Sequence, residues 1–350
     1  MDLMNTVVNA VENGWVPDAL VRKGAAKLSK GRLQADHSLA EDKVLEDLRA
    51  GPIATHTAEA NDQHYELPAA FFEKCLGPRL KYSCAYFADP QTTLGDAEVA
   101  MLEKYIERAG LVNGQRILEL GCGWGSLSLF MAEKLPESEI VVVSNSNSQR
   151  EFIQGRAKQA GITNLTVITA NMLDFDPANH EQSAPFDRAI SIEMFEHMHN
   201  YAELLRRVST WLKPDGALFV HIFCHRTLFY KYVAEGSSNW MAKYFFTGGT
   251  MPSFDLFEHF DEHLKVVEKT WLSGHHYERT ANAWLDNMDA TKADLMPVFE
   301  ATYGEDHKKW WQRWRMFHIG VAEMFGYDHG RQWGVGHFLF KPAGKTDASS

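Results

Sequence analysis

Two carboxylates and an imidazole stand close together in the chain at Glu193, Glu196 and His197. An apolar run ends at Ile192, and a helical turn starting after it would place the three side chains on one face, at i, i+3 and i+4. Such a group suits deprotonation of a cationic amine, because carboxylates attract the ammonium and one base removes its proton. We therefore predict all three to be catalytic, with like-charge repulsion raising the pKa of one carboxyl.

The same spacing has a structural interpretation. A Glu at a helix start stabilises the N-terminal dipole, and a Glu–His pair at this spacing is common on solvated faces. Spacing alone does not separate the two interpretations. The position after a strand favours the functional one, because α/β sheets bind ligands at the carboxyl ends of their strands.

A glycine-rich loop, Gly121-Cys122-Gly123-Trp124-Gly125, follows an earlier apolar run. Its glycines let the backbone turn sharply and let a ligand approach bare amide groups. The alternatives are a dinucleotide site, which has the spacing G-x-G-x-x-G, and a tight turn without a ligand. The G-x-G-x-G spacing after Leu-Glu-Leu resembles the first motif of the class I methyltransferases, which implies an S-adenosylmethionine site.

A polar run over residues 144–149 follows the next apolar run. Many class I methyltransferases carry an acidic residue here that binds the ribose hydroxyls, and this chain does not. Asn145 and Gln149 can hydrogen-bond a diol without charge. Asn145 and Ser146 can also cap the following helix, and both roles are compatible.

The elements that position these residues are predicted by short apolar runs alternating with helical patterns. Candidate strands lie at 116–120, 139–143, 165–168, 186–192, 217–222, 264–271 and 334–340. The alternation predicts an α/β fold with a doubly wound, mostly parallel seven-stranded sheet. The resemblance of the glycine loop implies that this is the class I methyltransferase fold. Residues 1–60 predict two or three short helices broken at Pro17, Gly31 and Gly51, and a helix over 96–110 leads into the sheet.

Aromatic residues are concentrated late in the chain. A helical stripe that we interpret as core comprises Trp310, Trp314, Phe317, Val321 and Met324. The glycine-broken stretch after it carries Phe325, Tyr327 and Trp333. We predict that these are exposed loop aromatics, and that Phe325 and Trp333 enclose a cationic aromatic substrate by stacking and cation–π attraction.

We predict four segments: an N-terminal helical arm or lid over 1–95, a cofactor-binding core over 96–225, a helical substrate cap with the last strands over 226–345, and a tail over 346–350. Metal binding is not predicted, because His275 and His276 are adjacent and so face two directions, and no second ligand stands at i+4.

Composition restricts the partners. The 350 residues include 35 Lys and Arg against 46 Asp and Glu, a formal charge of −11 that disfavours nucleic acid and anionic lipid surfaces. The four cysteines form no CxxC pair, the N-terminus lacks a signal-peptide pattern, and no apolar run is long enough to span a membrane. We predict a cytoplasmic protein without stable membrane insertion. A homodimer is one candidate assembly, and the sequence leaves the oligomeric state open.

Several segments in order resemble the coclaurine N-methyltransferase family, whose members are related to the cyclopropane fatty acid synthases. Besides the glycine loop and 144–149, they lie at 63–68, 80–84, 191–198, 221–225, 245–253 and 324–327. The resemblance implies S-adenosyl-L-methionine as cofactor and S-adenosyl-L-homocysteine as product. The cofactor-binding residues predicted from the glycine loop and the resemblance are Tyr82, Ser83, Gly121, Gly123, Asn145, Gln149, Asn171, Met172 and Ile192.

The resemblance also implies two acceptor chemistries. The N-methyltransferases place catalytic groups at Glu193, Glu196 and His197, which implies a small cyclic amine of tetrahydroisoquinoline type as acceptor. Cyclopropane synthases instead hold a bicarbonate base, and their ligand positions match Cys84, Glu196, His221 and Tyr277. Cys84, His221 and Tyr277 are therefore predicted substrate-site residues, and methylene transfer to unsaturated acyl chains is the alternative function. A catalytically silent cofactor-binding protein is a third hypothesis, which the intact Glu/His group disfavours.

Overall fold

A computed structural model describes residues 3–34, 41–54, 67–232 and 239–344 of the chain. The predicted tail at 346–350 and most of the segment at 63–68 lie outside these residues. The strands in chain order are β1 (Arg116–Leu120), β2 (Glu139–Ser144), β3 (Leu165–Thr169), β4 (Phe186–Ile192), β5 (Leu212–His225), β6 (Tyr230–Lys231), β7 (Thr250–Met251), β8 (Leu264–Ser273) and β9 (Trp333–Pro342).

Within the described residues, seven of these strands form one sheet in the order β3-β2-β1-β4-β5-β9-β8, and β6 pairs with β7 separately. Strands β1 to β5 pair in parallel, whereas β9 is antiparallel to both β5 and β8. The predicted seven-stranded, mostly parallel α/β sheet is confirmed. Its carboxyl edge brings the ends of β1, β2 and β4 together, which is where such sheets bind ligands.

Helices cover both faces of the sheet and form a layer beyond its end. In chain order they are α1 (Leu3–Glu12), α2 (Asp18–Gln34), α3 (Glu41–Asp47), α4 (Ala69–Cys75), α5 (Leu94–Arg108), α6 (Ser126–Lys134), α7 (Asn147–Gln159), α8 (Tyr201–Trp211), α9 (Trp240–Tyr244), α10 (His275–Ala290), α11 (Lys292–Tyr303) and α12 (His307–Gly330). Hydroxyl side chains cap two of them: Thr93 accepts from the N–H of Asp96 and Ser146 from that of Gln149, so the predicted capping role of residue 146 is present.

The sheet separates two hydrophobic cores because successive strand residues point to opposite faces. On β2, Ile140 and Val142 contribute to one core, and Val141 and Val143 contribute to the other. The first core continues into the aromatic side chains of α4, α10 and α12. It therefore joins the glycine-loop side of the sheet to the late helices.

A buried ion pair joins the start of the chain to α12. Glu12 is 4% exposed and accepts hydrogen bonds from Arg313 Nε at 3.1 Å and from Trp240 Nε1 at 2.9 Å. Lys309 Nζ lies 3.3 Å from its second oxygen. Burial opposes ionisation of Glu12, but these partners hold its pKa below the usual value. Helix α1 is thus fixed against α9 and α12.

Candidate active site

One cavity opens at the carboxyl ends of β1, β2 and β4 and extends towards α10 and α12. Its lining includes all nine residues predicted for the cofactor, namely Tyr82, Ser83, Gly121, Gly123, Asn145, Gln149, Asn171, Met172 and Ile192. It also contains the three residues predicted to be catalytic. The same cavity therefore has a cofactor half at the glycine loop and an acceptor half beside β4 and the late helices.

The glycine loop exposes its backbone to the cofactor half. The amides of Gly121 and Cys122 both donate to the Val143 carbonyl at 3.0 Å, which fixes the loop to the end of β2. Gly123 has a φ of +51°, and a Cβ built there would meet no described atom within 4 Å. That position therefore faces open cavity, whereas a Cβ at Gly121 would lie 3.0 Å from Met194 Cβ. The loop leaves a bare backbone surface for a ligand.

Polar atoms without protein partners surround this surface. Ser126 Oγ, Gln149 Nε2 and Trp124 Nε1 are buried and make no hydrogen bond to any described residue. Ser144 Oγ donates to Gln149 Oε1 at 2.6 Å, so the Gln149 amide nitrogen is oriented as a donor. Buried polar groups are normally hydrogen-bonded, and these would be satisfied by ribose hydroxyls and an adenine ring. The residues present therefore fit S-adenosylmethionine.

One ionisable residue of the cofactor half was not predicted from the sequence. Glu119 on β1 lines the cavity, accepts from Ser128 Oγ at 2.5 Å, and has its pKa raised to about 8 by burial. Glu119 is the acidic residue of the Leu-Glu-Leu sequence before the glycine loop, which is the signal that could have identified it. Its carboxyl can receive a ligand ammonium at the strand end, which is the group an amino-acid moiety presents.

In the acceptor half, several donors converge on the Glu193 carboxylate. The Cys84 N–H donates to Oε1 at 3.0 Å, His221 Nε2 lies 3.0 Å from the same oxygen, and the Tyr277 hydroxyl donates to Oε2 at 2.6 Å. The ammonium of Lys81 is also buried nearby. Burial raises the pKa of Glu193, and Lys81, the Cys84 amide and Tyr277 oppose that shift. Burial has the opposite effect on the ammonium and lowers the pKa of Lys81 to about 8. The charge of Glu193 opposes this lowering.

The predicted helical turn starting at Glu193 is wrong. Glu193 has a φ of +47°, and the helical residues that follow are Phe195–His197, a single 3₁₀ turn. The N–H of Glu193 still donates to the His221 carbonyl at 2.9 Å, so its backbone remains bound to the adjoining strand. The positive φ then reverses the chain. Glu193, Glu196 and His197 line one cavity as a result of this reversal, not of helical periodicity.

Glu196 and His197 lie beside this carboxylate. Glu196 is 1% exposed, and its Oε2 has no hydrogen-bond partner among the described residues. Burial, and then the charge of Glu193, raise the pKa of Glu196 well above its usual value. The repulsion predicted from the sequence is thus the smaller cause. The His197 ring packs 4.8 Å from that of Phe246, which places a titratable imidazole against an aromatic wall.

The aromatic wall differs from the predicted one. Phe325 is 2% exposed and lies behind Tyr277 at 4.5 Å, and Trp333 is fully buried with its Nε1 donating to Tyr230 at 3.0 Å. The prediction that these two are exposed loop aromatics is wrong, because α12 continues through Phe325 and β9 begins at Trp333. The apolar side chains that line the acceptor half, and that the sequence did not single out for it, are Phe223, Phe246, Trp284, Phe317 and Val321.

The other predicted substrate-site residues, Cys84, His221 and Tyr277, are all brought to Glu193, but they differ in whether they reach the cavity surface. Tyr277 lines the cavity, whereas His221 and the Cys84 side chain stand behind it. Among the described residues, no group of three or more His, Cys, Asp and Glu side chains could hold a metal ion. In the same part of the chain, no helix is both long and apolar enough to cross a membrane.

Known proteins share this sequence and fold. Residues 54–327 match the family described as mycolic acid cyclopropane synthetase. (S)-Coclaurine N-methyltransferase of Thalictrum flavum subsp. glaucum is 38% identical over 347 residues, covering 96% of this chain and 95% of the relative. Cyclopropane-fatty-acyl-phospholipid synthase of Escherichia coli K12 is 31% identical over 249 residues, covering 71% of this chain and 60% of that protein.

A solved structure of coclaurine N-methyltransferase, bound to N-methylheliamine and SAH, has a TM-score of 0.89 and 35% identity, and the match covers 96% of this chain and 99% of that one. These matches agree with the glycine loop and with the unpaired donors, both of which indicate an S-adenosylmethionine site. The chain belongs to the coclaurine N-methyltransferase family, within the mycolic acid cyclopropane synthetase family, and is an S-adenosylmethionine-dependent methyltransferase.

Proposed function

We propose that this enzyme methylates the nitrogen of a small cyclic amine of the tetrahydroisoquinoline type. The observation that carries the proposal is the Glu193 carboxylate, which is held by three donors in an aromatic cavity and is placed to attract an ammonium. The solved coclaurine N-methyltransferase structure carries N-methylheliamine, a methylated amine. Glu193, Glu196 and His197 are the proposed catalytic residues, and the nine residues of the cofactor half are the proposed cofactor site.

Each residue of the acceptor half has a separate role in the proposed reaction. S-adenosylmethionine supplies an electrophilic methyl group on a sulfonium. Glu193 attracts the ammonium form of the acceptor, while the rings of Phe223, Phe246 and Phe317 hold its apolar body and exclude water. His197 or Glu196 takes the proton from nitrogen, which frees the lone pair for attack. Because burial raises the pKa of Glu196, its ionised carboxylate is a stronger base than an ordinary glutamate and binds the acceptor's proton more tightly.

Methylene transfer to acyl chains is disfavoured by the same carboxylate. That reaction needs a base for an acceptor that has no titratable group, and the resemblance implied a bicarbonate held by Cys84, Glu196, His221 and Tyr277. Here the Cys84 amide, His221 and Tyr277 already donate to the carboxylate of Glu193. A protein carboxylate thus occupies the donors that a free anion would use.

Product analysis separates the two functions. The purified enzyme is incubated with S-adenosylmethionine and either heliamine or vesicles of unsaturated phospholipid, and products are identified by mass spectrometry. We expect N-methylheliamine, a rate that rises with pH as the free amine becomes available, and no change on adding bicarbonate. Cyclopropanated lipid together with no methylation of any amine tested would overturn the proposal.

We further propose that the enzyme acts in the cytoplasm on a free small molecule, without nucleic acid and without stable membrane insertion, as a monomer or a homodimer. The chain's four cysteines all lie in described residues and are buried free thiols, which supports a reducing compartment. The proposed division is an arm over 1–95, a cofactor core over 96–225 and a substrate cap with final strands over 226–345.

A further inference from the structure

A chain of hydrogen bonds runs from the edge of α5 through the sheet to Glu193. Arg108 Nη1 lies 2.6 Å from His337 Nδ1, and His337 Nε2 lies 2.9 Å from His221 Nδ1. His221 Nε2 then lies 3.0 Å from Glu193 Oε1. The two histidines face each other in register on β9 and β5. Both are at most 2% exposed, whereas Arg108 is half-buried.

The chemistry of the first member sets the direction of every later bond. A guanidinium has donors and no acceptor, so His337 Nδ1 must accept. In a neutral ring the proton of His337 is then on Nε2, which donates to His221 Nδ1. The proton of His221 is in turn on Nε2, which donates to Glu193. Burial lowers the pKa of both imidazoles well below the usual value, with the Arg108 charge adding to that shift, in agreement with two neutral rings.

We propose that Arg108 and His337 are positioning residues that fix the tautomer of His221 and so keep the Glu193 carboxylate anionic towards the acceptor. This inference rests on the proposed function, in which Glu193 attracts an ammonium. The chain cannot serve as a proton outlet, because the guanidinium at its far end neither accepts nor releases a proton in proteins. The proton of the acceptor therefore leaves through Glu196 or His197.

Other groups also face Glu193 and the histidine pair. Lys81, Tyr277, the Cys84 thiol and amide, and Glu196 face Glu193. The Tyr105 hydroxyl lies 2.9 Å from His221 Nδ1 and donates to this atom when the His221 proton is on Nε2, so loss of His337 leaves one donor in place. Lys104 is a second cation on α5 near His337, and its Nζ lies 4.1 Å from the centre of the Tyr86 ring. Lys104 is therefore a matched charge control for Arg108.

Histidine tautomers can be measured without substrate. Long-range ¹H–¹⁵N spectra of the folded enzyme labelled with ¹⁵N-histidine distinguish Nδ1–H, Nε2–H and doubly protonated rings. The His221 and His337 signals are assigned by their loss in His221→Asn and His337→Phe. We expect both rings as Nε2–H between pH 7 and 9 in the wild-type enzyme. A wild-type His337 found as Nδ1–H or as a cation would overturn the proposal even if the amine is methylated.

The pH profile of kcat/KM tests the consequence for Glu193. Without the Arg108 donor the carboxylate binds a proton more readily, so activity should be lost on acidification about one pH unit earlier in Arg108→Met. Arg108→Lys, also a pure donor, should restore most of the profile. Lys104→Met should leave it within about 0.2 units, since it removes a charge but no hydrogen bond.

A double-mutant cycle separates the hydrogen bonds from through-space charge. If the effect passes through His337, Arg108→Met should add nothing in a His337→Phe background. An equal additional shift in that background would show a direct charge effect and overturn the positioning role. If no amine is methylated but both rings are Nε2–H, the proposed function fails while the tautomer assignment stands.

Discussion

In the cofactor half of the cavity the polar groups are mainly backbone amides and uncharged side chains such as Gln149, whereas in the acceptor half they are charged groups buried among aromatic rings. Apart from Glu119, whose pKa burial raises to about 8, the cofactor half presents neutral donors whose ionisation does not change near neutral pH. The acceptor half holds Glu193, Glu196 and Lys81, whose pKa values burial displaces. Changes in the first half should therefore alter affinity for the cofactor, and changes in the second should alter the reaction rate or the KM for the amine.

The largest effect is expected at His197. Replacing it by Ala removes a base beside the acceptor, so kcat should fall by roughly 10²–10⁴. The affinity for S-adenosylhomocysteine, measured by calorimetry, should change by less than about twofold. His263→Ala, at an exposed position, is the control and should keep wild-type rates. If the His197→Ala enzyme retained most of its turnover, His197 would not be the base, and the contrast between the two halves would not hold.

An opposite pattern is expected at the glycine loop. In Gly123→Val the new side chain enters the space that faces the cofactor, so calorimetric affinity for S-adenosylmethionine should fall about 100-fold, or roughly 2.7 kcal/mol. Gly114→Val is the matched control, because Gly114 also has a positive φ, +88°, with no described atom within 4 Å of its Cβ, but lies outside the cavity. Equal losses of affinity in both folded variants would assign the effect to backbone strain and not to the site.

The smallest effect is expected at the aromatic wall. Phe317→Leu removes a ring facing the acceptor, and KM for the amine should rise about 2- to 30-fold, matching a cation–π loss of about 0.5–2 kcal/mol. Phe340→Leu removes a fully buried ring on the opposite side of the sheet and should lower the melting temperature without changing KM. An unchanged KM in Phe317→Leu would show that the aromatic wall does not contribute to acceptor binding.

Sequence patterns brought part of the cofactor half together because that part is local in the chain, and its binding of the cofactor stays a prediction. The glycine loop, Asn145 and Gln149 follow directly from two strand ends, and parallel strands bring those ends to one edge. The acceptor half depends on contacts between distant segments. Residues 84, 221 and 277 come from a loop, a strand and a helix to meet Glu193, and no spacing relates them. The positive φ of Glu193 is likewise invisible in residue types.

The error at Trp333 has a related cause. The glycines at 326 and 330 predicted a loop reaching Trp333, with the strand starting at residue 334, yet β9 already begins at Trp333. Gly334 is a strand residue as predicted, and a Cβ there would stand 2.4 Å from Trp271 Cζ2 and 2.5 Å from the Leu272 carbonyl. Glycine at this position permits close approach of a neighbouring strand and not a turn. Residue type alone does not distinguish these two uses.

The ion pair of Glu12 with Arg313 bears on how new acceptor specificities arise. Arg313 stands one turn before Phe317 on α12, so the first residues of the chain support the same helix that lines the acceptor half. The cofactor loop lies between these two ends in the sequence. Chimeras between relatives that exchange only the central segment should therefore keep the acceptor preference of the flanking parent. Exchanging α10 to α12 should transfer it only when α1 is exchanged as well.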